Sequence, residues 1–231
     1  MAMLEFKFSS DQQHQLEAIE ATCDLFRGQQ FAASSFTVNH AGSDRNGLFG
    51  DDVLSGGQAE LFETIGHGNE LRVAPGQLLD NLHAVQEESC LPATDILTDG
   101  RLRDFTVEME TGTGKTYVYI RSIYELNRRY GITKFVIVVP SVAIREGVLK
   151  SFQTTRKHFE TLYDCTPLDY FAYDSKDMGP VGNFAVSSSI QVMVINIDAF
   201  NKGLDRDGVA KEGNLFHRSS EKLIGGYSPR E

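Results

Sequence analysis

The segment Met-Glu-Thr-Gly-Thr-Gly-Lys-Thr at 109–116 constrains this chain more than any other feature of its 231 residues. Gly112 and Gly114 allow the backbone to turn so that successive N–H groups point at an anion. A helix that starts directly afterwards adds its free N–H groups and the positive end of its dipole. Lys115 supplies an ammonium for the β- and γ-phosphates, and Thr116 supplies a hydroxyl for a magnesium shell. The segment therefore predicts a phosphate-binding loop (P-loop).

The first position of the segment is Met109 rather than the glycine of the simplest P-loop pattern. This position lies before the turn and is mainly a packing site, so the prediction stands. The bland alternative is a glycine-rich turn that happens to precede Lys-Thr, and the match over the whole segment with suitable flanks argues against it. We expect the nucleotide to be held by Thr111, Gly112, Thr113, Gly114, Lys115 and Thr116.

The flanks of the P-loop have the patterns of a strand and a helix. Apolar residues alternate with polar ones over 105–109, which predicts a short strand. Residues 115–129 predict a helix that is ended by Gly131. The apolar positions of this helix are Tyr119, Ile123 and Leu126.

Strand and helix patterns continue to alternate after the P-loop helix. The continuous apolar run at 135–139 predicts a strand covered on both faces, which Pro140 ends. Ser141 is placed to cap a further helix, and two more strands are expected at 168–173 and 190–197. The apolar face of the further helix is expected to comprise Val148, Phe152, Thr155, Phe159 and Leu162. The alternation predicts an α/β fold with a parallel sheet flanked by helices.

The first hundred residues are less regular. Residues 10–28 predict an amphipathic helix with Ser10 and Gln13 as a capping box and Gly28 at its end. Glycines among Ser, Asp and Asn at 42–57 indicate a loop, and leucines at 77–88 indicate a second helix.

Composition constrains the class of protein only weakly. The formal net charge is −10, but residues 104–163 contain nine Lys or Arg and six Asp or Glu, so that stretch is mildly basic. This distribution is compatible with phosphate binding and also with a plain solvated surface. The three cysteines are far apart, which argues against a disulfide framework or a Cys-based zinc site. With no apolar run of the roughly 20 residues that span a membrane and no export signal, we expect a soluble cytoplasmic protein.

Several sequence words resemble those of superfamily-two helicases and translocases, and more narrowly the restriction (Res) subunit of type III restriction-modification enzymes. The words lie at 105–116, 134–148, 173–176 and 194–202. The resemblance runs from about residue 4 to the C-terminus and is weakest between 30 and 100. It implies a RecA-like P-loop NTPase domain that uses ATP and Mg²⁺ to track along DNA before cleavage. The implied partners are double-stranded DNA and a DNA methyltransferase (Mod) subunit.

The resemblance assigns roles to individual residues outside the P-loop. Gln15 matches the glutamine that reads adenine in the family. An amide suits this role because it can both donate to and accept from an adenine edge. The alternative is a solvated polar face of an amphipathic helix. Pro140, Ser141 and Arg145 match motif Ia, which holds the nucleic-acid backbone in the family. Ser141 as a plain helix cap and Arg145 as a surface cation remain equally open.

Asp198 has two interpretations. It follows an apolar strand and could be a magnesium-coordinating carboxylate. In the family that role belongs to an Asp-Glu pair on a later strand, and here Ala199 follows Asp198. We therefore favour a loop that lies on the nucleic acid.

The sequence contains no Asp-Glu pair after an apolar strand, no arginine-finger motif and no nuclease carboxylate cluster. We therefore expect an N-terminal part of a longer enzyme, incomplete at its C-terminus, with no complete catalytic set. Such a chain should bind ATP weakly and hydrolyse almost none. The expected organisation is an adenine-reading helix (1–28), an irregular or helical insertion (29–103) and a truncated RecA-like ATP-binding domain (104–231).

Three other functions remain open. The first is a different superfamily-two DNA or RNA helicase. The second is a compact P-loop kinase or GTPase that uses Asp198 for magnesium. The third is a nonenzymatic remnant in which the P-loop survives as part of the fold.

Overall fold

The computed structural model describes residues 7–31, 33–39, 63–94, 104–174, 177 and 179–201. Its helices are α1 (Gln13–Asp24), α2 (Pro75–Glu88), α3 (Lys115–Tyr130), α4 (Val142–Leu162), α5 (Gly179–Val186) and α6 (Asp198–Asn201). Its strands are β1 (Ala33–Asn39), β2 (Glu63–Asn69), β3 (Lys134–Val139), β4 (Leu168–Ala172) and β5 (Ile190–Asn196). The glycine-rich stretch 42–57 lies outside the described residues.

Three parallel strands form the main sheet in the order β3-β5-β4. Phe135 lies opposite Val192, and Val192 lies opposite Tyr170 in the other ladder. The central strand β5 is the most buried, with Val192 and Val194 fully enclosed. α4 and α5 provide the two crossover connections that parallel neighbours require. The α/β fold predicted from the alternating patterns, with a parallel sheet flanked by helices, is confirmed.

The core lies between the sheet and the pair α3 and α4. Phe159 of α4 is 1% exposed, and its ring packs against Tyr117 and Tyr124 of α3. The cluster also includes Ile120, Ile123, Val139, Val148, Phe152, Tyr163, Ile190, Val192 and Val194. A second cluster joins α1 to another side of α3 through Ile19, Cys23, Val118 and Tyr130. Burying a side chain of this size stabilises the fold by about 1.5–3 kcal/mol. Because α3 contributes buried residues to both clusters, it is held on two sides.

The helix boundaries around the core follow the predicted signals. α3 ends at Gly131, which has a φ of +71° and donates its N–H to Asn127. α4 begins after Ser141, whose Oγ accepts from the N–H of Ile144 at 3.4 Å. Four of the five predicted apolar-face positions of α4 are buried, whereas Leu162, the last residue of the helix, is 36% exposed.

Two predictions about strands are wrong. Residues 105–109 form no strand, and Val107 is 50% exposed. An alternating pattern becomes a strand only where a neighbour supplies hydrogen-bond partners, and the sheet pairs only β3, β4 and β5 within the described residues. β3 is not covered on both faces, because Val136 and Val138 are 48% and 49% exposed. α5 covers part of that face through contacts of Phe184 with Phe171 and Lys134.

The predicted capping box at the start of α1 is also wrong. The N-cap is Gln12, which makes no side-chain capping bond, and the helix begins at Gln13. The carbonyl of Ser10 instead accepts from the guanidinium of Arg121. The two residues are 111 positions apart in the sequence, so no local pattern predicts this contact.

An antiparallel pair of strands, β1 and β2, lies within the stretch where no strands were predicted. Polar side chains attach this part of the chain to the rest. Asn69 bonds the backbone of Thr133 and Lys134, and Asn81, 5% exposed, donates to the carbonyls of Leu25 and Arg27. The helix predicted at 77–88 is confirmed as α2, and the division of the chain into three domains stays a prediction.

None of the helices in the described part of the chain is long and apolar enough to cross a membrane.

Candidate nucleotide-binding site

The P-loop turns through two glycines directly into α3. Gly112 and Gly114 have φ angles of +86° and +90°, values that L side chains rarely adopt. Gly114 is the N-cap of α3, and its carbonyl accepts from the N–H of Val118 at 3.0 Å. The loop therefore has the glycine turn and the helix N-terminus that an anion-binding site needs.

The loop is closed by bonds among its own members. Thr113 Oγ1 donates to the carbonyl of Glu110 at 2.7 Å. The ammonium of Lys115 donates to the same carbonyl at 2.6 Å and to the carbonyl of Met109. These bonds hold the ammonium at the loop, where an incoming phosphate would compete with carbonyl oxygens for it.

α1 lies directly against the P-loop. Gln15 Nε2 donates to the carbonyl of Thr113 at 2.9 Å, and His14 Nε2 lies 3.1 Å from the same oxygen. Since Gln15 is 7% exposed, it does not lie on a solvated face. A Cβ on Gly114 would lie 2.4 Å from Gln15 Nε2, so a side chain at this position would displace the Gln15 amide. The amide retains a second N–H and the Oε1 acceptor, which an adenine edge could use.

The predicted DNA-side residues gather at the carboxyl edge of the sheet. Val139 and Asn196 are paired, and the N–H of Ile197 donates to the carbonyl of Val139 at 2.9 Å. Ser141 and Asp198 therefore follow neighbouring parallel strands at the same edge. The N–H of Asp198 lies 3.3 Å from Asn196 Oδ1.

Two of these residues already have partners. The Ser141 hydroxyl caps α4, as predicted, and the guanidinium of Arg145 bonds Glu146 Oε1 through Nη2 at 3.0 Å and Nε at 3.2 Å. Pro140 is exposed beside them. A half-buried hydroxyl, main-chain groups and a partly neutralised cation therefore line this edge.

A polar network behind α3 connects α1 to α4. Arg121 Nη1 donates to the carbonyl of Ser10 at 2.5 Å, and its Nε donates to Tyr163 Oη at 3.2 Å. Tyr163 Oη donates to Glu125 Oε1 at 2.7 Å. Glu125 is 5% exposed and also pairs with Arg128 and Arg129. Burial alone would raise the pKa of Glu125, but the bonds from Tyr163 and the arginines hold that pKa below its usual range.

Sequence reasoning missed His14, Arg121 and the Tyr117–His158 pair. His14 could have been suggested by its position next to Gln15. Arg121 and His158 have no local signal, because their partners lie on other elements.

A turn through two glycines at positive φ that leads into a long helix beside a parallel sheet is the arrangement typical of P-loop proteins of the α/β class. The family model of the type III restriction enzyme Res subunit matches residues 9–224. This chain therefore belongs to the family of type III restriction enzyme Res subunits, whose domain has a RecA-like helicase fold. The resemblance seen in the sequence words is confirmed.

Three relatives carry the same description. The chain is 40% identical over 104 residues to the Res subunit of the type III restriction-modification enzyme StyLTI of Salmonella typhimurium, covering 44% of this chain and 10% of that protein. It is 30% identical over 146 residues to the EcoPI Res subunit of Escherichia phage P1, covering 58% and 15%. It is 28% identical over 146 residues to the EcoP15I Res subunit of Escherichia coli, covering 58% and 15%. The matches thus span 10–15% of the relatives' own lengths.

Proposed function

We propose that this chain binds ATP with Mg²⁺ and is the ATP-binding part of the DNA translocase subunit of a type III restriction endonuclease. The observation that carries the proposal is the P-loop itself, with Gly112 and Gly114 at positive φ ahead of Lys115. Membership of the Res family supports a helicase-like motor of a restriction enzyme. The full-length enzyme would couple ATP hydrolysis to DNA tracking before cleavage and would act with a Mod subunit.

The residues present fit a nucleoside triphosphate. Backbone N–H groups of 111–116 and the α3 N-terminus would hold the phosphates, Lys115 would neutralise them, and Gln15 would contact the base. Thr116 would join the magnesium shell. Among the described residues, no group of three or more His, Cys, Asp or Glu is placed to hold a metal. A magnesium ion would therefore take most of its ligands from the nucleotide and water, and when bound it would offset phosphate charge.

We extend the proposal to the carboxyl edge of the sheet, where Pro140, Ser141, Arg145 and Asp198 would lie along the DNA backbone. Their common edge on β3 and β5 supports a single continuous contact surface. The sequence pattern alone would also allow Asp198 to serve a kinase-like magnesium site.

The test is titration of the chain with Mg²⁺-ATP in a calorimeter, or with a fluorescent ATP analogue and Mg²⁺. Lys115→Ala should weaken binding by about tenfold or more, since a charge-assisted phosphate contact is lost. Lys150→Ala, which removes an exposed lysine of α4, should leave the affinity within about twofold. Asp198→Ala should leave ATP binding intact. Unchanged affinity in Lys115→Ala would refute the nucleotide proposal, and lost affinity in Asp198→Ala would favour the kinase-like alternative.

A further inference from the structure

Arg121 closes a ring of contacts around the nucleotide-binding end of α1. The P-loop carbonyl of Thr113 accepts from Gln15, which lies in the first turn of α1. Three residues before that helix, the carbonyl of Ser10 accepts from Arg121 Nη1 at 2.5 Å. Arg121 lies in α3, the same helix that the P-loop begins. One end of the segment 10–15 is thereby attached to α3 and the other to the loop that leads into α3.

The α1 N-terminus lacks the usual means of holding itself in place. Its N-cap Gln12 makes no side-chain capping bond. The local hydrogen bonds of the segment join Asp11 to Ser9, Gln13 to Glu17, and the N–H groups of Gln15 and Leu16 to the carbonyl of Gln12. Its long-range hydrogen bonds run to Arg121 at one end and to Thr113 at the other. A helix start without a cap frays more readily, so external contacts decide where Gln15 sits.

The Gln15 amide is in close contact with the P-loop backbone, because a Cβ on Gly114 would lie 2.4 Å from Gln15 Nε2. Moving Ser10 would tilt the first turn of α1 and separate Gln15 from Thr113. Arg121 is part-buried, and the nitrogen that bonds Ser10 is Nη1, whereas Nε bonds Tyr163. The Ser10 contact can therefore persist without the Tyr163 hydroxyl.

We infer that Arg121 is a positioning residue for base recognition: by holding the Ser10 carbonyl it sets Gln15 beside the P-loop, and thereby favours adenine nucleotides over ligands with no base. The inference rests on the proposed function. Arg121 does not itself touch the nucleotide, and its effect is transmitted by α1.

The experiment compares the affinities of the chain for Mg²⁺-ATP and for inorganic triphosphate with Mg²⁺. Arg121→Gln is expected to lower the ratio of the two affinities about fivefold, with most of the loss on ATP. Arg121→Lys, which keeps a cationic donor for Ser10, is expected to restore part of the ratio. The double variant of Arg121→Gln with Gln15→Ala should lower the affinity ratio no more than Gln15→Ala alone, because both changes disrupt the same base contact.

Two controls separate positioning from general stability. Tyr163→Phe removes the bond from Arg121 Nε and the bond to Glu125 and leaves the Ser10 contact, so it should lower the melting temperature yet preserve the ratio of the two affinities. Arg156→Gln removes an exposed arginine of α4 and should change neither the melting temperature nor the affinity ratio. Hydrogen exchange at the first turn of α1 should speed up in Arg121→Gln and not in Arg156→Gln.

An equal loss of ATP and triphosphate affinity in Arg121→Gln, or additive losses in the double variant, would overturn the inference and leave the proposed function standing. Triphosphate binding that is insensitive to Lys115→Ala, or a chain that binds neither ligand, would overturn the proposed function and this inference with it.

Discussion

Tyr117 Oη and His158 Nε2 lie 2.9 Å apart, so the first turn of the P-loop helix is hydrogen-bonded to the C-terminal half of α4. The ring of Phe8 lies against both, with centroids 6.4 Å from Tyr117 and 5.5 Å from His158. α4 carries Ser141 and Arg145 at its other end. The nucleotide side and the proposed DNA side of the molecule are therefore joined through one helix pair.

The burial of His158 predicts a loss of stability on mild acidification. Burial, and secondarily the charge of Arg121, lower the pKa of His158 below its ordinary value. In the unfolded chain the histidine keeps its ordinary pKa, so the unfolded state binds the proton first as the pH falls. The contribution is thus fully present above the ordinary histidine pKa and is lost as the pH falls below it toward the folded value.

Urea denaturation at pH 7.5 and pH 5.5 checks this prediction. The free energy of unfolding of the wild type should fall more over this interval than that of His158→Gln, in which the titrating group is absent. The absolute stability of the variant is irrelevant to the comparison. Equal falls in the two proteins would show that His158 does not contribute.

The two P-loop glycines should respond differently to alanine. Gly112→Ala meets no atom within 4 Å and should cost about 1 kcal/mol, from the left-handed backbone alone. Gly114→Ala has the same backbone strain and also displaces Gln15, so it should cost more. Denaturant melts of both variants measure the difference. If the Gln15 contact is the cause, adding Gln15→Ala should bring Gly114→Ala close to Gly112→Ala; an undiminished gap would assign the cost elsewhere.

Glu125 should be among the most sensitive polar positions for stability. Glu125→Ala leaves Tyr163 and two arginines without their buried carboxylate and should lower the free energy of unfolding by about 3 kcal/mol. Glu160→Ala breaks an exposed pair with Arg156 on α4 and should cost less than about 0.5 kcal/mol. Chemical denaturation distinguishes the two. Similar small losses would mean that the Glu125 network adds nothing beyond a surface pair.

The parts of the fold that could be predicted from sequence are those with local causes. The P-loop glycines, the Ser141 cap and the Gly131 stop are each set by residues within a few positions, and the structure has the last two where expected. The parallel sheet followed from alternating patterns. These signals depend on backbone preference and periodicity, which a single sequence displays.

The parts that could not be predicted depend on partners far away in the chain. The pattern at 105–109 is strand-like, yet none of the described strands pairs with it. The capping box at Ser10 is a good local match, but Arg121 takes the Ser10 carbonyl and the helix starts later. The candidate site divides in the same way. The loop could be predicted from its own residues, whereas the contact of Gln15 with Thr113 joins residues far apart in the sequence and could not.

Glu146 partly neutralises the proposed DNA contact Arg145, which predicts that removing the acid strengthens DNA binding. The Arg145 guanidinium bonds Glu146 Oε1 through two nitrogens, and the glutamate is 59% exposed. Glu146→Gln should raise the affinity for double-stranded DNA by about twofold, as expected for loss of an exposed ion pair. Arg145→Ala should weaken binding and reduce the slope of log affinity against log salt by about 1, because one phosphate contact is lost.

Fluorescence anisotropy of a labelled duplex, titrated at several salt concentrations, measures both effects. Glu160→Gln is the matched control, since it removes the same charge from an exposed ion pair at the opposite end of α4. If a change in net charge were sufficient, the two glutamate variants would bind DNA equally well. A salt slope that is the same in Arg145→Ala and the wild type would place the DNA backbone away from Arg145 and would remove the main support for a contact surface at this edge of the sheet.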